Sequence, residues 1–111
     1  MISVEDVKNI LPCEVVVGNN LDLREVKGCY IGDLPSWVMD SANQKDIWVT
    51  VLGDVNSIAV AKLADISCII LADNSQIDIN ARQKAIEQGI PIIKTHLSSY
   101  KVAIKIYKLF R

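Results

Sequence analysis

The architecture of this chain follows from the segment Asp46-Ile-Trp-Val-Thr-Val-Leu-Gly-Asp-Val-Asn-Ser-Ile-Ala-Val-Ala-Lys-Leu-Ala-Asp65 and its continuation from Ile66 to Ala72. It reads in order as a strand, a Gly-Asp turn, a helix, a short link and a second strand. The two strand runs, Ile47–Leu52 and Ile66–Ala72, are apolar at nearly consecutive positions rather than at alternating ones. This pattern is typical of strands covered on both faces, so the sequence predicts a parallel sheet between helices.

The same strand–helix unit recurs downstream. A strand over Ser67–Ala72 is followed by a helix from about Asp78 to Gln88, and Gly89 is placed to end that helix in a left-handed conformation. A third strand over Pro91–Lys94 leads to a last helix capped by Ser98. Strands that alternate with helices in this way indicate right-handed crossovers and a parallel core sheet.

Upstream, Ser3 is placed to cap a first helix that Pro12 stops. Two strands are expected at Cys13–Val17 and Val26–Ile31, and the residues between them form a turn and a polar segment that is hard to assign. Asp33 is the expected N-cap of a short second helix. The sequence therefore predicts a single α/β domain over residues 1–111, with three layers and a mainly parallel sheet flanked by helices.

Spacing also predicts the buried faces of two helices. The short second helix should bury Leu34, Trp37, Val38 and Met39, and the helix after Gly53 should bury Val55, Ile58, Ala59 and Leu63. The other tryptophan, Trp48, lies in a strand and is expected in the core.

Composition excludes several classes of function. Half of the chain is apolar and its formal charge is −1, with acidic and basic residues interspersed, so neither nucleic acid nor an anionic membrane is an expected partner. No apolar run is long enough to span a membrane, and the N-terminal residues do not resemble a signal peptide. We therefore expect a cytoplasmic protein.

No catalytic constellation is visible. Cys13, Cys29 and Cys68 are widely spaced and predicted as buried, reduced thiols, and the single histidine, His96, has no partner at metal-ligand spacing. Gly53-Asp54 lacks the glycine spacing and the lysine of a phosphate-binding loop. We expect no metal, no cofactor and no enzymatic activity of the chain itself.

A ligand site is predicted at the ends of the strands. In an open parallel sheet, ligands bind beyond the carboxyl ends of the strands, where the polar corners of this chain should meet. The same residue types are common in turns and helix caps, so each has a structural alternative. The candidate ligand-binding residues are Asn19, Asn20, Arg24, Asp33, Asp54, Asn56, Asp73, Thr95 and His96.

The last helix is apolar over an unusually wide arc, beside a narrow stripe formed by Lys101, Lys105 and Lys108. Packing of the helix against one face of the sheet uses only about half of that arc. The remainder either packs against the first helix or forms a subunit interface, with Val102, Ile106, Leu109 and Phe110 as the candidate interface residues.

Four segments carry a resemblance to a known family. They are Val26-Lys-Gly-Cys-Tyr-Ile-Gly-Asp-Leu-Pro-Ser-Trp-Val-Met39, Asp46-Ile-Trp-Val-Thr-Val51, Cys68-Ile-Ile-Leu-Ala72 and Gly89-Ile-Pro-Ile-Ile-Lys-Thr95. With them the chain resembles the DRTGG-domain family, and more narrowly its small stand-alone members, often encoded near iron-hydrogenase genes. The string that names the family is absent, and its counterpart lies within Asp22-Leu-Arg-Glu-Val-Lys-Gly28.

The resemblance implies an α/β domain similar to the N-terminal domain of HPr kinase/phosphorylase and of Mur ligases. In those settings the chemistry belongs to other domains. Two functions remain open. The first is a non-catalytic regulatory or protein-interaction domain, expected as a homodimer or with a protein partner and with a link to hydrogenase or redox control. The second is a sensor of a nucleotide or other small anion. For the sensor, Arg24, Asn19, Asn56 and Thr95 are the first choices as contacts.

Overall fold

The computed structural model describes residues 1–111 as alternating helices and strands around one sheet. The helices are α1 (Val4–Asn9), α2 (Pro35–Ser41), α3 (Val55–Leu63), α4 (Ile79–Gln88) and α5 (Ser99–Phe110), with a single 3₁₀ turn at Leu21–Leu23. The strands are β1 (Glu14–Val17), β2 (Gly28–Ile31), β3 (Asp46–Thr50), β4 (Cys68–Leu71) and β5 (Ile92–Lys94).

The sheet has the strand order β1-β5-β4-β3-β2. β2, β3, β4 and β5 run parallel to one another, whereas β1 pairs antiparallel with β5 at one edge. The prediction of a mainly parallel sheet is confirmed. Because β1 runs the opposite way, its carboxyl end lies where the four parallel strands begin. We call that side of the sheet the amino edge and the opposite side the carboxyl edge.

Helices cover both faces of the sheet, as the consecutive apolar runs predict. Every residue of β3 and β4 is buried. One face packs with α1 and α5, and the other with α2, α3 and α4; each face contributes a cluster of 13 buried apolar residues. The central strands therefore have no face open to solvent, and recognition is left to the outer strands, the strand ends and the outer helix surfaces.

Strand ends differ from the predicted bounds by one or two residues. β3 stops at Thr50 because the chain turns outward, leaving Val51 exposed, and β2 begins at Gly28 rather than Val26. The Val26 N–H donates instead to the Ile2 carbonyl oxygen at 2.7 Å, and Ser3 and Glu25 form an isolated antiparallel bridge. Side-chain burial alone does not locate such changes of hydrogen-bond partner.

The cap and buried face predicted for α2 are wrong. Leu34 is the N-cap residue, and the Asp33 carboxylate instead accepts a hydrogen bond from the Thr50 hydroxyl. Of the four residues predicted to be buried only Val38 is, and Trp37 is 63% exposed. The short α2 contacts α3 but lies at the end of its layer, so a single buried residue is sufficient to hold it.

The face predicted for α3 is wrong in three of its four residues, because Val55, Ala59 and Leu63 are exposed and only Ile58 is buried. Apolar residues occur all around this helix, so spacing does not distinguish the faces. The buried side holds Ser57, Ile58, Val60 and Ala61. Helix α3 contacts both α2 and α4.

On α5, Val102 and Ile106 are fully buried and belong to the same core cluster as Val4 and Val7 of α1. These two candidate interface residues therefore serve mainly as core, although Ile106 also lies at the floor of a surface groove between β2 and α5. Leu109 is half-buried and Phe110 is exposed. The packing that involves α1 uses part of the apolar arc and leaves the rest on the surface.

Three of the predicted helix-capping and helix-ending residues are confirmed. Ser3 forms a capping box with Asp6, the Ser98 hydroxyl accepts from the Lys101 N–H at 3.3 Å, and Gly89 ends α4 in a left-handed conformation. All three cysteines are free, but only Cys68 is fully buried. Burial was wrongly predicted for Cys29, which is exposed because β2 is an outer strand.

Candidate functional site

The predicted strand-end residues separate into two groups on opposite edges of the sheet. Asn19 and Asn20 follow β1, whose antiparallel direction brings them to the amino edge. Arg24 lies there too: its Nε donates to the Ser67 carbonyl oxygen at 2.9 Å and its Nη2 to the Ile66 carbonyl oxygen at 3.3 Å, just before β4. The remaining six candidates lie at the carboxyl edge, so the expected single cluster does not form.

At the carboxyl edge, several of the candidate side chains hydrogen-bond within the fold. Asp33 accepts from the Thr50 hydroxyl at 2.6 Å and from the Val51 N–H at 3.0 Å. Asp54 accepts from the Ser57 N–H at 2.9 Å and so caps α3. These contacts are those expected of residues that shape turns and helix ends.

Thr95 is a further example, because it is 2% exposed and its hydroxyl donates to the Pro12 carbonyl oxygen at 2.7 Å. The Thr95 hydroxyl oxygen also accepts from the Leu97 N–H at 3.2 Å. Asn56, Asp73 and His96 are exposed on this edge.

Part of the carboxyl edge is closed by the chain itself. A Cβ placed on Gly53 would lie 2.1 Å from the Gln76 carbonyl oxygen and 2.8 Å from the Ile77 Cα. The Asp78 N–H also donates to the Gly53 carbonyl oxygen at 2.8 Å. The loop that follows β4 is therefore packed directly on the turn that follows β3, which leaves no room for a ligand between them.

The other part of this edge carries a hollow of about 330 Å³ beside Cys13, Asn74, Thr95 and His96. Its walls include Glu14 and Lys94, which are cross-strand partners in the β1–β5 ladder. These opposite charges balance each other, so the hollow has no net preference for an anion.

The largest cavity is a groove of about 450 Å³ at the amino edge, between the loop after β1 and helix α4. Helix α4 packs against β1, and both Arg24 and Arg82 line the groove between them. Gly18, Asn19 and Asn20 form the end of the groove. We call this cavity the amino-edge groove.

The charged side chains that line the amino-edge groove are all positive. None of its 13 lining residues is acidic, and two are arginines. The ion pairs of the chain join Lys8 to Glu5 and Lys45 to Glu25, so neither arginine is paired with a carboxylate. A guanidinium presents a planar fork of donors that suits phosphate and carboxylate groups.

The same groove has apolar walls. Leu23, on the 3₁₀ turn, is 71% exposed, and Ile86, one turn after Arg82 on α4, is 49% exposed. A Cβ on Gly18 would lie 3.0 Å from the Leu21 side chain and 3.2 Å from Pro91 Cβ, so the end of the groove is tightly packed. An anion with an attached planar organic group would contact both kinds of surface.

Sequence reasoning selected Asn19, Asn20 and Arg24 but missed Arg82. The arginine lies on the solvent side of α4 and follows no polar corner, so only the antiparallel direction of β1 and its packing against α4 connect the two.

The thiols are poor nucleophiles. Although Cys29 keeps exposed surface, the protein atoms around its thiol desolvate the thiolate; this desolvation, followed by the nearby Asp46 carboxylate, raises the pKa of Cys29 to about 12. Burial likewise raises the pKa of Cys68 and of Cys13, so all three remain protonated at neutral pH. Nowhere in residues 1–111 do three His, Cys, Asp or Glu side chains come together as a metal site, and no helix is both long and apolar enough to cross a membrane.

Comparison with known proteins identifies the family of the chain. The DRTGG domain matches residues 6–109. The chain belongs to the DRTGG domain family. No curated protein matches the sequence.

Among solved structures, this DRTGG domain is similar to the CBS and DRTGG domains of the regulatory region of a Clostridium perfringens pyrophosphatase, crystallised with the activator diadenosine tetraphosphate. The TM-score is 0.76 at 17% identity, which shows a shared fold. The alignment covers 94% of this chain and 45% of that one, so this chain spans less than half of the length of its neighbour.

Proposed function

We propose that this DRTGG domain is a regulatory module without catalysis of its own, and that it senses a small anionic ligand of the nucleotide or polyphosphate class. The ligand binds in the amino-edge groove. The observation that carries the proposal is the pair of arginines, Arg24 and Arg82, in a groove with no acidic residue.

The two arginines have different tasks in this site. Arg24 is half-buried and two of its nitrogens are held by the Ile66 and Ser67 carbonyl oxygens, so its guanidinium is fixed before any ligand arrives. Arg82 is exposed and free to adjust. A fixed donor supplies orientation at low entropic cost, and a mobile one closes on the anion.

The remaining features of the groove agree with a nucleotide. Its volume lies within the roughly 300–1,000 Å³ typical of small-molecule sites. Leu23 and Ile86 supply apolar surface for a base, while the asparagines Asn19 and Asn20 supply amide donors and acceptors. The similar pyrophosphatase region supports this ligand class, because its activator, diadenosine tetraphosphate, is an anionic nucleotide.

A thermal-shift titration tests the proposal with ATP, diadenosine tetraphosphate and inorganic tripolyphosphate as probes. A ligand that binds only the folded state adds about 1.4 kcal/mol at tenfold excess over its Kd. For a domain of this size that corresponds to a rise in Tm of roughly 5–10 °C. We expect a rise with at least one nucleotide, and a smaller rise with tripolyphosphate, which lacks a base.

Arg82→Gln is the informative variant, since Arg24 also holds the start of β4. We expect Arg82→Gln to weaken binding about tenfold or more, the loss of one charge-assisted contact. Lys84→Gln removes the same charge from the same helix but outside the groove, and should bind as the unmodified chain does. No Tm shift at millimolar probe, or equal affinity in both variants, would exclude this site.

The proposed function does not depend on three narrower predictions made from the sequence. A link to hydrogenase or redox control and a cytoplasmic location both stay predictions. The protein-interaction role also stays a prediction, and the surface described next gives it a definite form.

A further inference from the structure

The outer edge of β2 carries unpaired backbone groups. The Gly32 N–H donates to the Val49 carbonyl oxygen of β3 at 3.2 Å. Alternate residues of a strand direct their N–H and C=O groups to opposite sides. Cys29 and Ile31 therefore direct both of their groups away from β3, along an edge where the sheet has no further strand.

The two outer strands of the sheet, β1 and β2, differ in how they are protected against pairing with another chain. β1 carries the charged Glu14 and a register shift between Val15 and Val17, and both features oppose pairing with another chain. β2 reads Gly-Cys-Tyr-Ile, with no charge, proline or bulge. Since natural edge strands usually carry such protection, its absence at β2 indicates an edge that is used for pairing.

Apolar surface flanks β2 on one face of the sheet. A groove of about 370 Å³ between β2 and α5 is lined only by apolar residues. They are Cys29, Ile31, Ala103, Ile106, Tyr107 and Phe110. Tyr107 is 65% exposed, and Ile31 and Phe110 are also exposed.

The other face is similar in character. There α2, which joins β2 to β3, is the last helix of its layer and exposes Leu34 and Trp37. Large exposed apolar side chains thus occur on the outer helices of both faces next to the same bare edge, a combination typical of a protein interface.

We propose that a second copy of this chain pairs antiparallel with β2 about a two-fold axis, joining the two sheets of five into one continuous sheet of ten strands. The outward groups of Cys29 and Ile31 fix the register. Cys29 of one copy exchanges both hydrogen bonds with Ile31 of the other, and Tyr30 lies opposite its own equivalent on the axis. The same contact brings the two α5 grooves together.

Charge complementarity favours a second copy as the occupant. Lys27 precedes β2 and has no ion pair within the chain, and Asp33 follows β2. An antiparallel second copy brings its Asp33 to the end of the strand where Lys27 lies, while Asp33 keeps the hydrogen bonds that its Oδ1 accepts from Thr50 and Val51, and the two-fold axis repeats the approach at the other end. Opposite charges placed across paired strands are favourable. A single contact that satisfies itself in this way closes as a dimer and does not propagate into fibres.

Sedimentation velocity of the ligand-free chain between about 1 and 200 μM tests the proposal. We expect a monomer–dimer equilibrium within that range. Tyr107→Lys should give a monomer, since it places a charge in the groove without touching the sheet. Tyr100→Lys is the matched control: it lies on the same helix, is 74% exposed and does not line the groove, so its dimer should persist.

Hydrogen exchange of the unmodified chain tests the register itself. The amides of Cys29 and Ile31 should exchange fast at low concentration and become protected as the dimer forms. The Tyr30 amide faces β3 and should be protected at every concentration. A monomer throughout the range, a dimer that survives Tyr107→Lys, or Cys29 and Ile31 amides indifferent to concentration would each overturn the proposal.

Discussion

At the scale of single residues, Thr95 illustrates a structural use of a polar strand end. Its hydroxyl donates to the Pro12 carbonyl oxygen and accepts from the Leu97 N–H, and so joins the start of β1 to the segment that leads into α5. Thr95 is only 2% exposed, and the Pro12 carbonyl and the Leu97 N–H lie beside it. A buried polar group without a partner is costly, so this hydroxyl contributes to stability and is not free for a ligand.

We therefore predict that Thr95→Val lowers the free energy of unfolding by about 1–3 kcal/mol, the cost of leaving buried partners unsatisfied. Valine has nearly the same shape, which isolates the hydroxyl. Urea denaturation measures the loss, and Thr95→Ser, which keeps the hydroxyl, is the control. The Tm shift caused by a nucleotide should be unchanged in Thr95→Val; a lost shift would return Thr95 to the ligand site.

Residue roles were predictable from sequence where the partner is close along the chain. Ser3, Ser98 and Gly89 act at helix ends within four residues of their partners, and the sequence identifies each of them. Asp33 was not, because its carboxylate reaches Thr50, 17 residues away, instead of capping its own helix. The ligating or structural use of a side chain depends on such distant contacts.

At the scale of elements, Gly53 lies closer to its surroundings, the loop after β4, than any other glycine of the chain does. The Gln76 carbonyl oxygen would lie 2.1 Å from a Cβ at this position, well inside contact distance. Backbone atoms surround the site, so no side chain can rotate away to make room. The absence of a Cβ is what lets the loops after β3 and β4 pack together.

Gly53→Ala should accordingly destabilise the chain by about 3 kcal/mol or more, at or beyond the upper end of overpacking costs. Gly89→Ala is a useful contrast: nothing lies within 4 Å of its Cβ, but its φ is +69°. That variant should lose only about 1 kcal/mol, from conformation alone. Chemical denaturation compares the two, and equal losses would show that the close approach is relieved by a small loop movement.

Strand positions were predictable because burial on both faces leaves consecutive apolar residues. Strand direction was not: β1 carries the same kind of run whichever way it lies, and its antiparallel pairing depends on which neighbour it finds. This one direction decides the candidate site, since it moves Asn19 and Asn20 to the amino edge beside Arg24 and Arg82. The resemblance indicated the fold but did not locate the groove.

At the scale of the whole molecule, the proposed ligand groove and the proposed dimer edge lie at opposite ends of the sheet. The groove adjoins β1 and the start of β5, whereas the dimer edge is β2, with β4 and β3 between them. No residue lines both cavities. Two sites influence each other only if the ligand binds differently to two states that the other site also distinguishes.

The two sites share no residue and are joined only through the buried central strands, so we predict that binding and dimerisation are independent. Arg82→Gln should dimerise as the unmodified chain does, and Tyr107→Lys should bind nucleotide with a Kd within about twofold of it, well below the usual range of coupling free energies. Sedimentation with and without saturating nucleotide, and a nucleotide titration of Tyr107→Lys, measure the two directions. Because coupling must be reciprocal, a tenfold effect of nucleotide on dimerisation should be matched by a tenfold effect of dimerisation on the nucleotide Kd. Such a paired change would mean that the central strands transmit ligand binding to the β2 edge, and would make dimerisation the regulated output of the domain.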